Sequence, residues 1–228
     1  GFPLTDQADE SDEPTPPHGT PIDEATVISA NRPSGAEARP GSGSPAVEPD
    51  WERLRKDLQQ IVDALVALHD AGKVHRDLKP SNVMVTAQGR VVLLDFGLVM
   101  DAYEDLAEGT DRNLAGTIGY MAPEQATLGG TGPAADYYAL GVMLYQMITG
   151  RMPFQGPPAE ILAQKRLGPP PDPRFLCPNA PEELAQLALD LLSPTPEARP
   201  TGDEARRRLS RHQRRSSRPP SGYSSGEF

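Results

Sequence analysis

His75–Arg76–Asp77–Leu78–Lys79–Pro80–Ser81–Asn82 places an acid, a cation and a carboxamide within eight residues, and the sequence on either side decides what fold carries them. Upstream, Asp50 can cap a helix that presents Leu54, Leu58, Ile61, Val62, Leu65 and Leu68 on one face, with Gly72 beyond Ala71 to close it. That spacing predicts an amphipathic helix of about 20 residues. Downstream, the apolar runs Val83–Val85 and Val91–Leu94 flank a turn at Gln88–Gly89, which predicts a small β-hairpin. Asp136 to Ile148 is almost wholly apolar, as expected of a helix buried on most sides. Further helices are expected over 158–166, 181–192 and 202–210, between Pro-rich loops. The 95–124 stretch shows no sustained period, and its length marks a functional loop. The expected class is mainly α with one small hairpin.

Asp95–Phe96–Gly97 begins thirteen residues beyond Asn82, at the end of the second strand. If the hairpin brings the two loops together, Asp77, Asn82 and Asp95 converge. Oxygen donors from Asn82 and Asp95 suit a hard Mg²⁺ ion, while the separate Asp77 carboxylate can accept a proton. Lys79 beside it can neutralise charge building on a transferring phosphoryl group. The constellation is one for phosphoryl transfer.

With Met121–Ala122–Pro123–Glu124–Gln125 further on, the chain carries H-R-D-L-x-x-x-N, D-F-G and A-P-E in order. Over about residues 51–202 it resembles the C-terminal lobe of a bacterial eukaryotic-like (Hanks-type) serine/threonine protein kinase. The resemblance implies ATP and Mg²⁺ as cofactors and proteins with Ser/Thr hydroxyls as substrates. On that resemblance Asp77 is the catalytic base, and Asn82 and Asp95 hold the metal that bridges the ATP phosphates. Lys79 stands where Ser/Thr kinases carry lysine. Met84 matches the floor of the adenine pocket, although core filling explains it equally well. His75 and Phe96 match stacked spine positions, and Gly97 completes the D-F-G motif. Asp136 resembles the acid that braces the catalytic loop's backbone, and Glu124 with Arg199 an anchoring ion pair. Gly116–Thr117–Ile118–Gly119–Tyr120 resembles the substrate-facing loop, in which Thr117 would bond to Asp77 and Lys79. Arg76, expected to face inward, would need an anion such as a phosphorylated loop residue. Thr110 is preferred to Thr117 for that modification, with Asp101, Glu104, Asp105, Glu108 and Asp111 as rival partners.

Composition bounds the rest. Residues 1–49 are acidic and Pro-rich, with hardly any large apolar residue after Leu4, and are expected to be disordered, possibly as an insertion in a hinge. Residues 50–210 are expected to form the lobe, and 211–228 a basic Ser/Pro/Gly tail or linker. The formal charge of −10 divides into −8 for 1–50, −6 for 51–202 and +4 for 203–228, and an acidic core argues against nucleic acid as a partner. Cys177 is the single cysteine, which excludes a disulfide framework and suits a reducing, cytoplasmic setting. No run of about 18 apolar residues predicts a membrane span. No G-x-G-x-x-G occurs, and no lysine lies in a strand ahead of the catalytic loop. The expectation is therefore a fragment whose ATP-clamping lobe lies upstream, with further domains on either side and little activity alone. The rival readings are a pseudokinase scaffold, against which the intact Asp77, Asn82 and Asp95 count, and a small-molecule phosphotransferase, against which Lys79 and the long 95–124 segment count.

Overall fold

The computed structural model describes residues 26–27, 49–94, 117–126 and 132–216. Asp95, Phe96, Gly97 and Thr110 lie outside the described residues. Helix α1 spans Trp51–Asp70. It starts where expected because the Asp50 carboxylate accepts the Arg53 backbone N–H at 2.9 Å, satisfying one of the free donors of the first turn. It stops where Gly72 takes a left-handed φ of 72° and donates its N–H to the His69 carbonyl at 2.8 Å. Leu58, Ile61, Val62 and Leu65 are fully buried along one face.

The hairpin consists of β2, Val83–Val85, and β3, Val91–Leu93, antiparallel with Val83 opposite Leu93. Gly89, at φ 75°, makes the turn. Gln60 on α1 fastens it at both ends of its amide: Nε2 donates to the Gly89 carbonyl and Oε1 accepts the Val91 N–H, each at 3.0 Å. A short strand β1, Thr26–Val27, pairs antiparallel with the other edge of β2, so the sheet has three strands in the order β1-β2-β3. The expected hairpin is present, and Thr26–Val27 adds a third strand to it. Composition averaged over some fifty residues does not register two β-formers, but the open edge of β2 offers them backbone partners.

Helix α2, Ala134–Thr149, is buried over most of its surface and ends at Gly150 in the left-handed region. It is the central helix of a core to which α1 and the later helices α3, Pro158–Leu167, α4, Glu182–Leu191, and α5, Gly202–Ser216, also contribute. The broadest packing is α2 on α4 and α1 on α5. Helix α5 continues to Ser216, beyond the boundary at 210 drawn from the apolar pattern. Arg and Gln are good helix formers, so the backbone propagates past Leu209, the last core residue among those described. Among the described residues, no helix is long and apolar enough to cross a membrane.

Gly141 lies where α2 crosses α4. A Cβ there would stand 2.8 Å from Leu191 Cβ and 3.2 Å from the Leu191 carbonyl carbon. Alanine gains about 1 kcal/mol of helix propensity, but overpacking against backbone and Cβ atoms costs about 1–3 kcal/mol. Gly141→Ala is therefore expected to lower the urea midpoint, and a raised midpoint would show that the two helices can spread.

Candidate active site

The loop between α1 and β2 is held from beneath by one carboxylate. Asp136, in the first turn of α2 and fully buried, accepts the His75 N–H at 2.8 Å and the Arg76 N–H at 2.7 Å. Its Oδ2 also lies 2.8 Å from His69 Nε2, near the end of α1. Because a carboxylate accepts and the imidazole must donate, this contact places the proton on Nε2. Arg76 needs the support, since its φ of 69° is in the left-handed region, where a residue with a Cβ is strained by about 1–3 kcal/mol. Gln125 completes the grip, donating Nε2 to the Arg76 carbonyl at 3.0 Å while its Oε1 accepts the Ala122 N–H at 2.8 Å. Arg76 itself is exposed, which corrects the expectation that it faces inward, because the backbone reversal turns this residue outward. His75 is fully buried, as its spine position implies.

That anchored loop delivers three polar side chains to one place. Asp77 Oδ2 receives the Lys79 ammonium at 2.7 Å and the Asn82 Nδ2 at 3.0 Å. Asn82 Nδ2 also donates to the Asp77 carbonyl at 2.8 Å, which locks the loop into a closed turn ahead of β2. Two consequences follow for chemistry. Among the described residues Asp77 Oδ1 accepts no hydrogen bond, and Asn82 Oδ1 meets only the Ser81 hydroxyl at 3.4 Å. A carboxylate oxygen and an amide oxygen are thus left for outside partners, and the latter is a donor type that fits Mg²⁺. Asp77 and Lys79 are partly exposed, at 12% and 25% of their side chains, so a large substrate can reach them.

Asp95, the other expected metal ligand, is outside the described residues, as are Phe96 and Gly97. The residue before it, Leu94, donates its backbone N–H to the Asn82 carbonyl at 2.9 Å, so the chain leaving β3 runs beside Asn82. Met84, between buried Val83 and Val85, is only half-buried on the opposite face of the sheet. Thr117 sits in a single helical turn over 117–120 and accepts from Lys79 Nζ at 3.4 Å; among the described residues it makes no bond to Asp77.

The segment after Thr117 is fastened by two cations on opposite contacts with one tyrosine. Arg199 Nη1 and Nη2 grip the Glu124 carboxylate at 2.5 and 2.8 Å, and the same guanidinium donates to the carbonyls of Ser193, Ala134 and Pro194. Its carbon lies 4.8 Å from the Tyr138 ring centroid, and Lys165 Nζ lies 5.4 Å from that centroid. Lys165, Gln125, His69 and Tyr138 were not singled out in the sequence. Lys165 shares a helix face with buried Ile161 four residues earlier, which was the one available signal. Burial pushes the Lys165 ammonium from its ordinary 10.5 down to about 7.

A catalytic loop of this form, braced from a buried helix and followed by an ion-paired A-P-E segment, defines a class, and comparison with known proteins agrees. The family described as the protein kinase domain matches residues 47–209, and the chain belongs to that family. It is 42% identical over 148 residues to the serine/threonine-protein kinase Pkn1 of Myxococcus xanthus, covering 62% of this chain and 21% of that protein. It is 42% identical over 135 residues to PknA of Mycobacterium tuberculosis, covering 58% and 31%. The DNA damage-responsive serine/threonine-protein kinase RqkA of Deinococcus radiodurans is 40% identical over 143 residues, covering 62% and 21%. The matched stretch thus spans between a fifth and a third of these relatives' lengths.

Asp136→Asn replaces one acceptor oxygen by an NH₂ facing N–H donors in a buried site. A loss of about 2–3 kcal/mol in unfolding free energy is expected by denaturant titration. Lys165 gives a pH signature. Its folded-state value near 7 lies below that of the unfolded chain, so between pH 7 and 9 the unfolded state binds more protons and stability rises with pH. The wild type is expected to gain more stability over that range than Lys165→Met, measured by urea midpoints at each pH.

Proposed function

We propose that this protein transfers the γ-phosphoryl group of ATP to Ser or Thr hydroxyls of other proteins. The observation that carries the proposal is the arrangement of Asp77, Lys79 and Asn82: one carboxylate oxygen is engaged by a cation and an amide, and the other is left for a substrate. The substrate hydroxyl donates its hydrogen bond to Asp77 Oδ1, which aims the oxygen at phosphorus and receives the proton as the new P–O bond forms and the bond to ADP breaks. Lys79 lies between Asp77 and Thr117, where its charge offsets the negative charge on the transferring group. Asn82 Oδ1 and Asp95 would hold Mg²⁺, which when bound neutralises charge on the ATP phosphates. The names of the relatives support Ser/Thr specificity, and Lys79 supports it from this chain's own residues.

The test uses the full-length gene product, radiolabelled ATP and a generic basic protein. Asp77→Asn is expected to lower transfer by about 10²–10⁴-fold while leaving the circular dichroism spectrum unchanged. Equal transfer by the variant would overturn the assignment of Asp77. A wild type that transfers nothing under any condition would favour a scaffold.

A further inference from the structure

Lys165 is fully buried, yet among the described residues no carboxylate answers its charge. Nζ instead donates to three backbone carbonyls, those of Ile118 at 2.7 Å, Gly119 at 2.9 Å and Met121 at 2.6 Å. An ammonium has three N–H donors, and all three are used on one stretch of four residues. Burying an ammonium without a counter-ion is unfavourable, and a methionine or leucine at this helix position would pack without that cost. The feature that distinguishes lysine here is what it does to the carbonyls. Residues 118–121 follow Thr117, and at the end of a one-turn helix most carbonyls lack helical partners, although that of Ile118 also accepts the Met121 N–H at 3.3 Å. A single point on α3 collects three of them and sets the pitch of the turn, while Arg199 holds Glu124 three residues further on.

We propose that Lys165 is a positioning residue for the protein substrate: by collecting the carbonyls of Ile118, Gly119 and Met121 it fixes the segment that receives the substrate chain beside Asp77. The proposal rests on the kinase reading above and names a residue that acts on that site from outside it. Lys165 hydrogen-bonds to neither Asp77, Lys79 nor Asn82, and among the described residues its link to them is through the turn that carries Thr117, whose hydroxyl meets Lys79. Its removal therefore acts on where the protein substrate lies and not on how ATP is held.

The experiment measures initial rates with the full-length wild type, Lys165→Met and Lys165→Leu, varying a basic protein substrate and ATP separately. Lys165→Met is expected to raise KM for the protein about tenfold while KM for ATP stays within about twofold, and Lys165→Leu to shift the same constant in the same direction. Folded variants whose KM for the protein is unchanged, or whose constants for protein and ATP move together, overturn the positioning role. If Lys165→Met does not fold, Lys165→Leu decides by the same criterion. Failure of both to fold assigns Lys165 to stability alone and also overturns the proposal. A wild type without transfer activity refutes the kinase reading itself and this inference with it, which separates the two failures.

Discussion

The buried carboxylate of Asp136 is the constraint on which the site depends. A left-handed Arg76 and two adjacent inward-pointing backbone N–H groups would be costly in any protein that left them unsatisfied. Asp136 takes both N–H groups, and a third bond from His69 sets the carboxylate's own orientation. With Arg76 reversed, Asp77 emerges toward the solvent side while His75 and Leu78 return to the core. Alternation of core and site residues in a short loop thus comes from one acid on a helix that begins sixty residues later.

The same helix organises the second half of the site. Tyr138, two residues after Asp136, is fully buried, its hydroxyl has no hydrogen-bond partner among the described residues, and its ring lies close to both Arg199 and Lys165. Burial keeps this phenol neutral by raising its pKa. Arg199 holds the start of the stretch that leads into α2 through Glu124, and Lys165 holds the turn before it through main-chain carbonyls. One helix thereby sets both the loop that carries the proposed base and the segment against which a substrate would lie.

Much of the fold was legible because its signals are local. The Asp50 cap, the α1 stripe, the Gly89 turn and the apolar run of α2 each depend on residues within one or two turns of one another, and each element lies where its pattern indicates. The strand at Thr26–Val27 and the last turns of α5 were not legible, the first because its partner is over fifty residues away, the second because the apolar pattern that marked the helix ends at Leu209. In the site, the resemblance to kinases located Asp77, Lys79, Asn82, Asp136, Glu124 and Arg199. Gln125 and Lys165 act through backbone atoms of distant residues, and side-chain identity carries no trace of a carbonyl to be satisfied.

The sequence by itself determined the family, since H-R-D-L-x-x-x-N, D-F-G and A-P-E stand in order along it and the protein kinase domain matches residues 47–209. Tertiary structure decided which oxygens are engaged and which remain for a substrate, that Arg76 turns outward, and that a lysine of ordinary appearance is a buried clamp. The physical reason is common to all three. Covalent neighbours and helical or strand periods specify local conformation, whereas desolvation and the pairing of backbone donors and acceptors are settled only when elements far apart in the chain pack together.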